Sequence, residues 1–206
     1  MKKILAVIAI LFFSLTAFAA QCITPALKIE DKSIPNFFKV SDGLYRSAQP
    51  LKEGFIKLPD YGIKTVLNLR ADNSDAENLA GLGLNYEQIK INTWAFNEKD
   101  IDAFLRIIAD EDNLPLLVHC QHGADRTGVM AAVYRIVVED WSKEEALAEM
   151  TGGCFGFHSI WLNLPKLIKS LDVEKLKANY AAYKQEAQAR RAAVTQGLGE
   201  AVPSQS

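Results

Sequence analysis

The chain has 206 residues, 49% of them hydrophobic and 23% charged, which is ordinary globular usage and excludes a disordered, collagenous or coiled-coil chain. Lys and Arg number 23 against 25 Asp and Glu, a formal charge of −2. No global basic field therefore argues for nucleic acid or an anionic membrane surface, and any anionic ligand must be held by a local site.

Met1-Lys2-Lys3 is followed by an apolar run from Ile4 to Phe13 and then by Ala17-Phe18-Ala19. A positive start, a short apolar core and an A-x-A end are the parts of a secretory signal peptide, and the run is too short to span a bilayer. Cleavage after Ala19 is expected (signal 1–19), with a periplasmic or secreted product that has no stable membrane insertion. Gln21 precedes Cys22 where a lipid-attachment site wants a small residue, which argues against lipidation. The three cysteines, Cys22, Cys120 and Cys154, are too few for a disulfide scaffold and odd in number. At least one is left as a free thiol or paired with another molecule.

Residues 20–42 hold two prolines and no sustained period, and read as an irregular lead-in. A main domain over 43–170 follows. Gly43–Arg46 is a candidate strand, Lys52–Tyr61 a short helix stopped by Gly62, and Thr65–Leu69 a buried strand. Tyr86–Ile91 alternates as a half-buried strand, and Asp100–Ala109 carries Ile101, Phe104, Leu105 and Ile108 at helical spacing. Pro115–Val118 reads as a central strand, Thr127–Val138 as a core helix, and Ser142–Met150 as a helix opened by the capping box Ser142 and Glu145. Val173, Leu176, Tyr180, Tyr183 and Ala187 form the stripe of a terminal helix over 171–193, docked on the domain, before a flexible tail over 194–206. Strands alternating with helices predict an α/β fold, a mainly parallel central sheet flanked by helices.

The chemistry is concentrated in Val118-His119-Cys120-Gln121-His122-Gly123-Ala124-Asp125-Arg126-Thr127-Gly128. A loop curling into a helix N-terminus turns backbone N–H groups inward and adds the helix dipole, making an anion cradle from residues Gln121, His122, Gly123, Ala124, Asp125 and Arg126. Gly123 relaxes the steric limits on the curl, and Arg126 supplies a planar fork matched to two phosphate oxygens. The same field favours a thiolate over a thiol on Cys120. That sulfur can attack a phosphate monoester and form a phosphocysteine for water to hydrolyse, with Thr127 easing its departure. This covalent route calls for no metal and no cofactor.

His119-Cys120-x5-Arg126-Thr127 resembles the HC-x5-R-[ST] signature of the cysteine-dependent protein tyrosine and dual-specificity phosphatases. Tyr45-Arg46-Ser47-Ala48-Gln49-Pro50 and Gly62-Ile63-Lys64-Thr65-Val66-Leu67-Asn68-Leu69-Arg70 resemble segments of the compact, atypical dual-specificity branch. The likeness covers about Gly43 to Leu164. It implies a dual-specificity phosphatase-like fold, a phosphatase domain over 43–170, Cys120 as nucleophile and a phosphorylated protein as substrate. An inositol phosphate as substrate, or a non-catalytic phosphate-binding module, are the alternatives.

Asp125 is the expected general acid, with Asp100 as the alternative. The region Asn92 to Asp102 has Trp94 but no Trp-Pro-Asp. Asp100 can serve there, or can be a first-turn helix residue favoured by the dipole. Asp125 sits beside Arg126, where myotubularin-like and some secreted bacterial phosphatases also carry an aspartate. Bound phosphate beside its carboxylate favours the protonated form, which suits an acid; orienting Arg126 is the other role. Arg46, Arg70 and His158 are candidates for the substrate rim, with surface salt bridges the default for the arginines and a structural hydrogen bond for His158. Cys154 is either an inert half-buried thiol or a partner for Cys120.

Overall fold

A computed structural model describes residues 22–199; the expected signal peptide and residues 200–206 of the expected tail lie outside the described residues. The strands are β1 (Leu27–Lys28), β2 (Phe38–Lys39), β3 (Leu44–Ser47), β4 (Thr65–Arg70), β5 (Asn85–Ile91) and β6 (Leu116–His119). They form one six-stranded sheet in the order β1-β2-β3-β6-β4-β5. The pairs β3–β6, β6–β4 and β4–β5 are parallel, whereas β1–β2 and β2–β3 are antiparallel. The lead-in is thus not irregular throughout: its two short strands extend the sheet, using backbone groups that β3 leaves unpaired on that edge.

The helices are α1 (Lys52–Lys57), α2 (Ala76–Leu79), α3 (Glu98–Ile108), α4 (Asp125–Val138), α5 (Lys143–Gly152), α6 (Asn163–Ser170) and α7 (Val173–Gly199). The helix expected over Lys52–Tyr61 narrows at Leu58 into a 3-10 turn with Pro59 in its first turn, and ends on Gly62 at φ 75°, since proline can lead a turn but not continue a helix. The capping box of Ser142 and Glu145 is present on α5.

The period of two along each strand divides the core. Leu44, Leu67, Leu69, Leu116 and Val118 join α3 to α7 on one face. Tyr45, Val66 and Leu117 face Phe55, Leu58 and Leu79 of the α1 and α2 side, together with Ile34 and Phe37 of the lead-in. α4 lies nearly entirely in the core, as its all-round apolar sequence predicts. α7 docks on α3 and α4. There Leu176 and Ala187 are buried, and the Tyr183 hydroxyl donates to both Asp102 oxygens at 2.7 and 2.9 Å. α7 continues beyond the expected end at residue 193, so described residues expected in the tail are helical. No helix among the described residues is long and apolar enough to cross a membrane. Strands β3, β6, β4 and β5 all end at one edge of the sheet, where a parallel sheet places its ligands.

Candidate active site

Five residues, Cys120 to Ala124, carry the chain from the end of β6 to the start of α4. Cys120 follows directly on His119, is 2% exposed and is a free thiol. α4 begins at Asp125, so the loop closes on that helix's unpaired N–H groups. Gly123 has φ +68°, and a Cβ there would lie 2.4 Å from both the Ala48 amide nitrogen and the Ser47 carbonyl carbon. Both the turn and the approach to the end of β3 therefore require glycine.

The loop is held from beneath by buried polar side chains. Arg46, on β3, is 1% exposed. Its Nη2 donates to the Gly123 carbonyl at 2.8 Å, and its guanidinium lies 3.6 Å from the centroid of the Phe155 ring. Burial lowers its pKa to about 10, an effect opposed by the charges of Glu149 and Cys120; it stays a cation at neutral pH. Arg46 is therefore not on the substrate rim. It anchors the loop from inside because β3 runs directly beside β6, in register Arg46 to Val118.

His119, also fully buried, has its Nε2 2.9 Å from Asp75 Oδ2; because a carboxylate only accepts, Nε2 carries the proton. The second Asp75 oxygen accepts from Gln49 Nε2 at 2.7 Å. Burial pushes the Asp75 carboxyl up, but the hydrogen bonds from His119 and Gln49 outweigh it and leave the value below the ordinary one. Gln49 also donates its backbone N–H to the Gln121 carbonyl at 3.2 Å and accepts from Arg70 Nη1 at 3.1 Å. Arg70 is tied to this network through Nη1, while its Nε lies 3.5 Å from the exposed Asp72 Oδ1 and makes no hydrogen bond among the described residues. Gln49 sits within the Tyr45–Pro50 motif, but nothing in the sequence points to Asp75, which meets His119 only through the adjacency of β4 and β6.

Arg126 spends one nitrogen on the scaffold: Nη1 donates to the carbonyls of Leu69 at 3.3 Å and Ile91 at 3.2 Å, where β4 and β5 end. This fixes the plane of the guanidinium and leaves the Nε and Nη2 edge without a protein hydrogen bond among the described residues. The Thr127 hydroxyl is buried with no partner. Two donors without protein partners among the described residues thus stand in the first turn of α4, directly after the loop.

Asp125 neither caps α4 nor orients Arg126. Its Oδ1 accepts the His158 backbone N–H at 2.9 Å, and its Oδ2 lies 2.9 Å from His158 Nδ1. The His158 ring is 5.3 Å from that of His122, which is exposed beside Gln121. Asp100 occupies the N3 position of a capping box with Asn97 at the start of α3. Its carboxyl is pushed up by burial, against the Asn97 backbone N–H, which favours the charged form.

The segment carrying Phe155 and His158 is tied down by the lead-in. Cys154 is bonded to Cys22 with a Cα–Cα separation of 5.3 Å; it is neither an inert thiol nor a partner for Cys120. Asn36 Nδ2 donates to the carbonyls of His122 and Phe155, each at 2.9 Å. Outside these groups stand Trp94, 62% exposed, and Trp161, their rings 4.6 Å apart. Trp94 lies just beyond Ile91, whose carbonyl takes Arg126, and the Trp161 backbone N–H donates to the His158 carbonyl at 3.1 Å. Both tryptophans therefore lie within one turn of residues that touch the loop.

The family described as "DSP-PTPase phosphatase fused to NAD+ Kinase" matches residues 29–163. The dual specificity protein phosphatase TpbA of Pseudomonas aeruginosa is 31% identical over 159 residues, covering 77% of this chain and 69% of that protein. The inositol diphosphatase DSP5 of Arabidopsis thaliana is 29% identical over 153 residues, covering 69% and 72% of the two chains. Among solved structures, P. aeruginosa TpbA aligns with a TM-score of 0.68 at 31% identity, over 76% of this chain and 96% of the other. A cysteine-to-serine form of TpbA in complex with phosphotyrosine aligns with a TM-score of 0.67 at 30% identity, over 81% and 99%. The catalytic core of S. cerevisiae Siw14 shares the fold, with a TM-score of 0.64 at 24% identity over 72% and 94%. With a free cysteine set in an arginine-closed phosphate loop on this sheet, the chain belongs to the atypical dual-specificity phosphatases and is a cysteine-dependent phosphatase.

Proposed function

We propose that this chain is exported and hydrolyses aryl phosphate monoesters, phosphotyrosine above all, through a phosphocysteine on Cys120. The N–H groups of the loop and the free Nε and Nη2 edge of Arg126 hold the three non-bridging oxygens. Cys120 Sγ attacks phosphorus in line as the bond to the leaving oxygen breaks. That oxygen takes its proton from Asp125, with His158 holding the carboxyl in place. Water then attacks the phosphocysteine and gives its proton back to Asp125, while the Thr127 hydroxyl donates to the departing sulfur. Asp100 is left to cap α3.

The observation that carries the choice of substrate is the aromatic pair Trp94 and Trp161, each three residues along the chain from a residue bonded to Arg126 or Asp125, set against the fate of the arginines. An inositol phosphate needs convergent cations, yet Arg46 is buried behind the loop and Arg70 is held by Gln49 beside Asp72. The phosphotyrosine complex of TpbA favours the same reading, and the inositol diphosphatase DSP5 marks the competing one. For export, the support is the signal-like N-terminus together with the Cys22–Cys154 disulfide, which suits an oxidising compartment such as the periplasm.

The test compares kcat/KM of the exported protein on a phosphotyrosine peptide, a phosphoserine peptide and inositol phosphates. The phosphotyrosine peptide should lead by about tenfold or more, roughly 1.4 kcal/mol of transition-state discrimination, and Cys120→Ser should release no phosphate from any of them. Faster hydrolysis of inositol phosphates would overturn the substrate, and full activity in Cys120→Ser would overturn the mechanism. N-terminal sequencing of the exported protein should begin at Ala20, and a retained Met1 would rule out cleavage.

A further inference from the structure

We infer that the rim of the phosphate loop holds a transition-metal site, built by His122, Asp125 and His158, that switches the phosphatase off when zinc binds. The three side chains each offer a ligand atom, all within 4.8 Å of one another. His158 Nδ1 is already 2.9 Å from Asp125 Oδ2, and the two imidazole rings are 5.3 Å apart at 59°.

A tetrahedral zinc ion with bonds of about 2.0–2.2 Å places its ligand atoms roughly 3.3 Å from each other. The remaining distance lies within reach of side-chain rotation alone. His122 is exposed and the His158 side chain is 49% exposed, so both rings can turn without moving the backbone. The carboxylate is the fixed member, buried at the first turn of α4 with Oδ1 held by the His158 N–H.

The backbone presenting the ligands is also preset. Asn36 clamps the His122 carbonyl, and the Cys22–Cys154 bond pins the segment leading to His158. Two imidazoles and one carboxylate select zinc, copper or nickel over magnesium and calcium, which want more oxygen ligands. The fourth position stays open for water or a phosphate oxygen.

Such an ion has no part in the covalent route, because Cys120 is the nucleophile. It occupies the carboxylate that would protonate the leaving group and locks His158 with it. The site is therefore inhibitory.

The test separates the ion from the thiol and from catalysis. Calorimetric titration of zinc into the Cys120→Ser protein should show one ion per chain, and magnesium should show no binding. In that background His122→Ala and His158→Ala should each weaken zinc by about tenfold or more. With Cys120 present, zinc should inhibit hydrolysis of an aryl phosphate, and His122→Ala should raise the inhibitory concentration by a similar factor. No binding to Cys120→Ser would move the ion to the thiolate and overturn the proposal. Unchanged affinity in both histidine variants, or magnesium binding as well as zinc, would overturn it too. None of the binding results depends on the enzyme turning over.

Discussion

The phosphate loop has a sealed base and an open rim, built from the same residue types with opposite consequences. At the base, Arg46 and His119 are fully buried and each is spent on a scaffold partner, the Gly123 carbonyl and Asp75. At the rim, Arg126 ties down only Nη1, and His122 and His158 keep one side in solvent. Burial, not residue type, decides which cation shapes the loop and which can meet a ligand. A buried guanidinium is retained only when its hydrogen bonds and stacking offset desolvation. Once so committed, Arg46 adds positive potential under the loop but no contact to substrate.

The sharpest way to break this division is to disturb the base where it has no slack. Gly123→Ala puts a methyl group 2.4 Å from the backbone at Ser47 and Ala48, at a φ of +68°. Nothing there can yield, because β3 is itself paired to β6. We expect a loss of about 2–4 kcal/mol in stability, and turnover down by about a thousandfold because the loop N–H groups no longer converge. A variant that melts like wild type and turns over within twofold of it would show that the loop is not held closed by this contact.

The rim should behave the other way. Asp125→Asn preserves shape and removes the carboxyl proposed above as the proton donor, so kcat should fall about 10²- to 10³-fold on an alkyl phosphate. The loss should be much smaller on a nitrophenyl ester, whose leaving group needs little protonation. Thermal stability should barely move. Equal losses on both esters would mean that the carboxylate positions rather than protonates.

Asp75 offers a smaller, pH-dependent probe of the base. Its folded carboxyl lies below the ordinary value. The stability it contributes is therefore complete above the unfolded value of about 3.9 and drains away as pH falls through the folded one. Asp75→Asn turns an amide N–H toward one of two donors, His119 or Gln49, at a cost of about 2 kcal/mol at pH 7. In melts at pH 7 and pH 3 the gap between wild type and variant should narrow in acid. A gap that is constant or widens would mean that the ionised carboxylate is not what supports His119.

How these residues were or were not legible follows from the range of the contacts involved. Cys120, Gly123 and Arg126 lie within seven consecutive positions, so their spacing alone describes an anion cradle, and the short apolar runs in β4 and β6 describe the sheet around it. Asp75 is 44 positions from His119, Asn36 is 86 from His122, and Cys22 is 132 from Cys154. Those pairings exist only once distant segments of the chain are brought together by the fold, and no local pattern announces them. The reading of Arg46 as a rim residue failed for the same reason. A strand of four residues, Leu44–Ser47, says nothing of what will cover it, and every one of its side chains is buried. The pairing of β1 with β2 was equally silent, because two-residue strands have no period.

The finest test of the rim concerns Trp94. Asn92 closes a short turn by accepting the Trp94 N–H at 3.1 Å, and Asn163 holds the same turn through the Thr93 carbonyl at 2.7 Å. The indole thus stands on a fixed backbone, edge to face with Trp161 at 4.6 Å, while most of its surface is open. An exposed aromatic so firmly placed contributes little to folding, and its truncation should shift stability by less than about 1 kcal/mol. If it walls the path of a phosphotyrosine ring, the lost contact is worth about 0.5–1.5 kcal/mol. Trp94→Ala should then raise KM for a phosphotyrosine peptide about two- to tenfold, with kcat and the inhibition constant of inorganic phosphate unchanged. An equal rise in KM for an alkyl phosphate, which has no ring to stack, would remove Trp94 from substrate recognition and leave the aromatic pair as surface packing.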